Sequence, residues 1–249
     1  MSRRAFVMQE LGLSPLWVRR HGAHADVAAE SDAGAEVQSA APALDSASAD
    51  ARATQIHEMQ WQQLKSSALA CTACGLHKAR KQAVFGVGDD KAEWLFVGEG
   101  PGAEEDERGE PFVGQAGKLL DNMLAAIALR RGNNVYIANV VKCRPPGNRT
   151  PEPAEARACE PYLTRQIDLI RPRLIVALGK VAAQNLLGIE ATLASLRGRV
   201  HDYRGTPLIV TYHPAYLLRN RVDKSKSWED LCFAVETMKT LKLQQPVPN

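Results

Sequence analysis

The feature that constrains the fold of this chain most is a short apolar run followed directly by glycines and prolines. Trp94 to Val97 has the length and composition of a buried strand. It is followed directly by Gly98-Glu-Gly-Pro-Gly102 and then by Gly109-Glu-Pro-Phe-Val-Gly114. Ligands of open parallel sheets bind at the carboxyl ends of the strands, and glycine lets the backbone approach a ligand closely. The segment predicts the rim of a binding site. An acidic surface turn is the alternative, because residues 104–107 are all acidic.

Apolar strands and amphipathic helices alternate along the chain. Strands are predicted at 94–97, 135–140, 174–178 and 208–211, and helices at 55–70, 116–129, 154–170, 180–187 and 228–243. Apolar strands separated by helices are typical of a parallel sheet that is covered on both faces. We therefore predict an α/β fold. Pro161 predicts that its helix kinks or starts anew near Cys159.

Four of the five cysteines form a close pair and two distant thiols. The pair is Cys71 and Cys74, and the others are Cys143 and Cys159. No secretory pattern is present, so we do not expect a disulfide framework. In a reducing compartment such a set more often binds a metal or an iron–sulfur cluster. Tetrahedral zinc suits four thiolates equally, and a chance scatter of buried thiols is the third alternative. Cys232 shares a helical face with apolar residues and is predicted to lie in the core.

The first 53 residues differ in composition from the rest. Residues 1–20 are a short amphipathic segment rich in arginine, and residues 21–53 are mostly Ala, Ser, Asp, Glu and Gly, without an aromatic residue. The second stretch cannot bury enough apolar surface to offset the entropy lost on ordering. We predict an arm with an interaction role over 1–20 (a transit peptide is the alternative), a disordered linker over 21–53, and one folded domain over 54–249.

Three blocks of sequence, with the cysteines interleaved, resemble the family 4 uracil-DNA glycosylases, the iron–sulfur branch of the uracil-DNA glycosylase superfamily. The first block is the glycine-rich segment 98–114. The second is Asn139-Val-Val-Lys-Cys-Arg-Pro-Pro-Gly-Asn-Arg149, and the third is His213-Pro-Ala-Tyr-Leu-Leu-Arg219. The resemblance implies a three-layer α/β/α domain with a central sheet of four parallel strands. It also implies a structural [4Fe–4S] cluster held by the four cysteines.

The activity that the resemblance implies is hydrolysis of the bond between uracil and deoxyribose in DNA, a step of base excision repair that leaves an abasic site. The target nucleotide has to be flipped into a pocket before this bond can be reached. The implied catalytic residues are Glu99, His213 and Asn148. Glu99 would position water or stabilise the cationic sugar, and His213 would donate to uracil O2 as negative charge develops. A loop histidine with its hydrogen bonds satisfied is the alternative for His213.

The resemblance also implies a pocket for the flipped base. Phe112 is expected to stack on the base, and Asn139 is expected to donate to O4 and accept from N3–H. A cap at the end of a strand is the alternative for Asn139. Gly100 brings the backbone close to the ligand, and Glu105 lies where it would help to exclude the methyl group of thymine.

A wedge and basic surfaces are expected around the second and third blocks. The wedge is a side chain that fills the gap left by the flipped base, and Leu217 or Leu218 is the candidate. The alternative, held equally, is that these leucines are ordinary core residues. Arg219 is expected to contact DNA. The net charge is only +3, so the distribution of charge carries the prediction of DNA binding. The basic residues concerned are Lys142, Arg144 and Arg149, and then Arg219, Arg221, Lys224 and Lys226.

Two other functions stay open. One is that of a relative which captures uracil-DNA covalently through a histidine on an insertion near the second block, but this chain has no histidine between His77 and His201. The other is a metal-stabilised DNA-binding module without turnover. We further expect a cytoplasmic bacterial monomer that acts on single- or double-stranded uracil-containing DNA. A protein partner is expected for the arm, and no membrane association, because no apolar run is long enough to span a membrane.

Overall fold

Four parallel strands form the centre of a six-stranded sheet. In spatial order they are β3 (Val135–Asn139), β2 (Trp94–Gly98), β4 (Leu174–Leu178) and β6 (Thr206–Thr211). Every residue of β2, β3 and β4 is buried, because helices cover both faces of the sheet. The predicted α/β fold with a central sheet of four parallel strands is confirmed.

The structure is a computed structural model that describes residues 46–244, with side chains from Asp50 onward. The predicted arm over 1–20 and most of the predicted linker, over 21–45, lie outside the described residues. In the described part, no helix is both long and apolar enough to cross a membrane.

Two edge strands, which the sequence does not predict, run antiparallel to their neighbours. β1 (Val87–Gly88) pairs with β3, and β5 (His201–Tyr203) pairs with β6. Both strands are too short to produce an apolar run or an alternating pattern. The complete sheet is mixed, in the order β1-β3-β2-β4-β6-β5.

Nine α-helices lie within residues 46–244. Those predicted at 116, 154 and 180 start within one residue of these positions, whereas the single helix predicted at 55–70 is divided into two. The nine helices are α1 (Ser46–Glu58), α2 (Trp61–Leu69), α3 (Ala103–Arg108), α4 (Gln115–Ala126), α5 (Pro153–Ile170), α6 (Lys180–Leu187), α7 (Leu193–Leu196), α8 (Pro214–Arg219) and α9 (Lys224–Leu243). One core lies between the sheet and α1, α2, α5 and α6, and a second lies between the sheet and α4 and α9. The three-layer arrangement follows from these two cores.

The folded domain begins earlier than predicted. Helix α1 starts at Ser46, inside the segment that the composition assigned to a disordered linker. Ile56 of α1 is buried, and Arg52 donates to the carbonyl of Ala158 at 2.9 Å and lies 5.1 Å from the ring centre of Tyr162. The boundary at residue 53 is wrong because contacts with α5 supply the stability that the local sequence lacks.

Two local predictions about helices are also wrong. Helix α5 runs as a single helix through Pro161, so the expected restart near Cys159 does not occur. Burial of the face around Cys159 and Leu163 outweighs the one hydrogen bond that proline removes. Cys232 of α9 is exposed, although it was expected in the core. The buried face of α9 passes instead through its neighbour Leu231 and through Met238.

Candidate active site

Asn139 lies at the carboxyl end of β3, beside the end of β2. The residue is 1% exposed, and its side-chain oxygen Oδ1 is buried with no hydrogen-bond partner in the described part of the chain. A Cβ atom on the neighbouring Gly98 would lie 2.5 Å from Asn139 Oδ1 and 2.5 Å from Phe112 Cζ. A buried acceptor without a partner costs on the order of 1–3 kcal/mol. Asn139 Oδ1 therefore marks a place where a ligand can donate a hydrogen bond.

Phe112 approaches the same place from the loop between α3 and α4. Its ring centre lies 5.5 Å from that of His213, with 34° between the ring planes. Its backbone is left-handed, with φ of 55°, which costs a non-glycine residue roughly 1–2 kcal/mol. Contacts from the rest of the loop must hold Phe112 in this conformation.

His213 follows β6 and caps the start of α8. Its Nδ1 accepts a hydrogen bond from the backbone N–H of Ala215 at 3.1 Å, so the proton of the neutral ring is on Nε2. Burial lowers the pKa of His213 to about 4, and the charge of Arg219 adds to this while Glu105 opposes it. At pH 7 His213 is a neutral imidazole with a donor at Nε2.

Glu99 and Gly100 follow β2 at the rim of the site. Glu99 is half-buried, and burial raises the pKa of its carboxyl group. A hydrogen bond from the Thr150 side chain lowers this pKa, but by less. A Cβ atom at Gly100 would lie 2.8 Å from Val141 Cγ2, so glycine allows the close backbone packing that the sequence indicates. The carboxylate of Glu99 and the amide of Asn139 thus come from adjacent strand ends.

Glu105 holds the backbone of the loop that carries Phe112. One carboxylate oxygen accepts from Val113 N at 2.9 Å and Gly114 N at 3.0 Å, and the other accepts from Gly102 N at 3.1 Å. These bonds cap α3 and anchor the residues that follow Phe112. The structure gives Glu105 a positioning role, and its role against the thymine methyl group stays a prediction.

Asn148 lies at the surface, in a short 3-10 turn after Cys143. Its side-chain oxygen accepts from Arg144 Nε at 2.7 Å, and its φ is 57°. Both Asn148 and Arg149 are exposed. The catalytic role of Asn148 stays a prediction.

The two leucines of α8 differ in exposure. Leu217 is 1% exposed, whereas Leu218 is 40% exposed. The burial of Leu217 agrees with the alternative of a core leucine, since its removal would leave a cavity, and the wedge role of either leucine stays a prediction. Leu218 is at the surface, beside the exposed Arg219, whose contact with DNA stays a prediction.

All four cysteines of the predicted ligand set line one small cavity between α2, α5 and the loop after β3. The four are Cys71, Cys74, Cys143 and Cys159. The structure brings them together as the spacing predicts. Across residues 46–244, no group of three or more His, Cys, Asp or Glu side chains is arranged to hold a single metal ion. The ligand assignment therefore stays a prediction.

Hydrogen-bond donors point at the sulfur atoms from around this cavity. Arg80 Nη1 donates to Cys143 Sγ at 2.8 Å, and Arg52 Nη2 donates to Cys71 Sγ at 3.5 Å. The backbone N–H of residue 142 donates to Cys159 Sγ at 3.3 Å. Burial raises the pKa of Cys159 to about 12. The donors favour bound thiolates, since hydrogen bonds to a charged acceptor are the stronger ones.

Lys142 connects the thiol cavity with the end of β3. The sequence groups it with surface charges, but it is 1% exposed, and its Nζ donates to the carbonyl of Asn139 at 2.9 Å and to Gln166 Oε1 at 2.6 Å. Burial lowers the pKa of Lys142 to about 8, although the nearby sulfurs of Cys159 and Cys143 raise it. A buried lysine is rare unless it is paired, and nothing in a single sequence separates it from an exposed one.

The chain matches the sequence model of the Uracil DNA glycosylase superfamily over residues 85–233. The type-4 uracil-DNA glycosylase of Archaeoglobus fulgidus is 51% identical over 158 residues, which are 60% of this chain and 79% of the relative. That of Pyrobaculum aerophilum is 45% identical over 183 residues, which are 70% and 93%. A type-5 uracil-DNA glycosylase of Pyrobaculum aerophilum is 33% identical over 148 residues, which are 52% and 64%. This chain belongs to the uracil-DNA glycosylase superfamily and, within it, to the type-4 uracil-DNA glycosylases.

Proposed function

We propose that this protein flips uracil out of DNA and hydrolyses its N-glycosidic bond, with Asn139, Phe112 and His213 forming the base pocket. The observation that carries the proposal is the buried Oδ1 of Asn139, which has no partner in the described part of the chain. It lies near an aromatic ring and a histidine whose proton is on Nε2. Uracil supplies what these groups need: a donor at N3, acceptors at O2 and O4, and a flat face.

Asn139 selects the base. Its Oδ1 accepts from uracil N3–H, and its amide nitrogen donates to O4. Cytosine presents an unprotonated N3 and an amino group at these positions, so both buried partners would stay unsatisfied. Phe112 contributes stacking that is worth about 1–3 kcal/mol and does not discriminate between bases.

His213 stabilises the departing base. As the bond to the sugar breaks, negative charge develops on uracil, and Nε2–H donates to O2. Because burial keeps the pKa of His213 at about 4, the ring donates as a neutral imidazole and no charge has to be buried before the reaction.

Glu99 acts on the sugar side of the bond. In its ionised form the carboxylate positions the attacking water or stabilises the cationic sugar, as carboxylates do in glycoside hydrolysis. Since burial raises the pKa of Glu99, ionisation of this group sets the lower pH limit of the reaction.

We propose that Cys71, Cys74, Cys143 and Cys159 hold a [4Fe–4S] cluster. The four thiols fit such a group, because they line one cavity and three of the sulfurs accept N–H donors. A four-iron cluster takes one thiolate on each iron. When bound it cross-links the segments that carry the cysteines. Base hydrolysis transfers no electron, so the role is structural.

A single-turnover assay tests the function. Full-length protein in excess over an oligonucleotide with one uracil is expected to release free uracil and leave an abasic site. The same oligonucleotide with cytosine at that position is the control and is expected to stay intact. A covalent adduct, or binding without release of the base, would identify one of the two other functions and overturn the proposal.

The metal is tested on protein purified without oxygen. We expect a brown protein that contains iron and sulfide, and we expect Cys143→Ala to bleach it and reduce its soluble yield. Cys232→Ala is the matched control, since Cys232 is exposed and lies outside the set. Stoichiometric zinc without iron or sulfide would overturn the cluster assignment.

A further inference from the structure

The backbone at Phe112 needs support from its surroundings. Its φ of 55° is in the left-handed region that favours glycine, and its neighbours in the loop have no regular secondary structure. The ring can meet a base in a defined orientation only if the peptide groups on both sides of Phe112 are fixed. The amides that follow it, those of Val113 and Gly114, are held by Glu105.

Arg131 binds the carbonyl groups on both sides of Phe112. This residue follows α4, next to the bridge between Arg130 and Asn133. Its Nη1 donates to the carbonyl of Pro111 and its Nη2 to the carbonyl of Phe112, both at 2.7 Å. One guanidinium thus binds two successive carbonyls, at the peptide groups that flank the strained residue.

The surrounding residues are suited to this contact. A Cβ atom at Gly117 would overlap the carbonyl of Phe112, so only glycine leaves room for that carbonyl where Arg131 reaches it. Asp121 in turn accepts from Arg131 Nε at 3.1 Å and fixes the plane of the guanidinium. The side chain of Arg131 is 21% exposed, so water weakens these bonds only in part.

We propose that Arg131 is a positioning residue for base excision, which sets the orientation of Phe112 by binding the carbonyls of Pro111 and Phe112. The inference rests on the proposed function of Phe112 as the stacking residue. Arg131 itself touches neither base nor sugar. Arginine is required because its planar fork binds two acceptors at once, whereas the ammonium group of lysine is a single point of charge.

A double-mutant cycle tests the proposal on the full chain. Arg131→Met is made in the wild-type background and in Phe112→Leu, and single-turnover rates are measured at saturating enzyme. We expect Arg131→Met to slow excision about tenfold to a hundredfold in the wild type, the scale for misplacement of a substrate-orienting group. In Phe112→Leu the same change is expected to slow it less than about twofold, because interacting residues are not additive.

Controls separate positioning from folding. Arg130→Met removes an equal charge from the neighbouring, exposed residue and is expected to leave the rate unchanged. If Arg131→Met does not fold, Arg131→Lys replaces it in both backgrounds, with folding checked by circular dichroism. An equal loss of rate in both backgrounds, or a lower unfolding temperature with a normal rate, would overturn the inference and leave the proposed function intact. Wild-type excision by Phe112→Leu would remove the stacking role itself.

Discussion

The proposed role of His213 in stabilising the departing base can be separated from its role as a helix cap. In His213→Ala two contacts are lost: the donor at Nε2, and the acceptor at Nδ1 that receives the N–H of Ala215. Loss of a helix cap costs about 1 kcal/mol of folding stability. Loss of one preorganised donor to a developing anion costs roughly a hundredfold to a thousandfold in rate, or about 2.7–4 kcal/mol. The variant is therefore expected to be slightly less stable and far slower.

His213→Asn is the matched variant, because asparagine is among the preferred N-cap residues. It is expected to recover most of the stability without the rate, since its shorter side chain caps α8 but does not carry a donor to the position of Nε2. The assay is single-turnover release of uracil at saturating enzyme, beside a titration of DNA binding under the same salt conditions. The interaction strengthens only as the base departs, so we expect both variants to bind DNA nearly normally.

Two results would refute this reasoning. If His213→Asn recovered rate and stability together, His213 would act only through the cap. If His213→Ala lost affinity for DNA in proportion to rate, the histidine would be a contact to the DNA backbone. Arg219→Gln serves as the contrast, because the exposed Arg219 is expected to affect binding and its salt dependence with little effect on the saturated rate.

Four further predictions follow from the site. Because the pKa of His213 is lowered from 6.5 to about 4, the unfolded chain takes up a proton first as the pH falls below 6.5. The free energy of unfolding should then fall by up to about 3 kcal/mol down to pH 4, and a pH series of denaturant titrations should show this loss absent from His213→Asn. Asn139→Asp places an unpaired carboxyl group in a buried position and removes the donor to uracil O4. Single-turnover excision should therefore slow about tenfold to a hundredfold. A normal rate would exclude Asn139 from the pocket. In pH–rate profiles, Glu99→Gln should lower the rate and abolish the decrease in rate at acidic pH, because protonation of Glu99, whose pKa is raised by burial, causes that decrease. If the decrease at acidic pH persists in the variant, another group causes it. Deletion of residues 1–43, which contain no motif residue and no cysteine, should leave excision on short oligonucleotides intact. Deletion through Arg52 should destabilise the proposed cluster by removing the donor to Cys71, and loss of visible absorbance in air would report this.

The fold could be predicted from the sequence where a buried strand gives an unbroken run of apolar residues. Strands β2, β3 and β4 are buried on both faces, so each appears as an unbroken apolar run, and the predicted bounds 174–178 agree with the structure. Strands β2 and β3 end in motif residues, and parallel strands end at one edge of a sheet, so Glu99 and Asn139 come from adjacent strand ends. The cysteines could likewise be grouped from spacing alone, and they line one cavity.

Contacts between distant segments could not be predicted in this way. Helix α1 has a linker-like composition and is ordered on α5 through residues such as Ile56. Lys142 has the residue type of surface charge and is buried between Asn139 and Gln166. Arg131 lies outside every motif, and only the folded chain brings it to Phe112. In each case the residue type alone indicates an ordinary linker or surface residue. The contact that gives the residue its role is made with a residue that is distant in sequence or on another element.

The structure offers a reason why a hydrolase that transfers no electron carries four thiols beside its proposed base pocket. The segment after the close cysteine pair is held by Asp106 of α3, which accepts from Lys81 N at 2.9 Å, and by a bond from Val84 N to the carbonyl of Lys142 at 2.7 Å. Helix α3 carries Glu105, which anchors the Phe112 loop, while Lys142 anchors the carbonyl of Asn139. A cluster that cross-links these segments would therefore act on both walls of the pocket at once, by positioning and without touching the substrate.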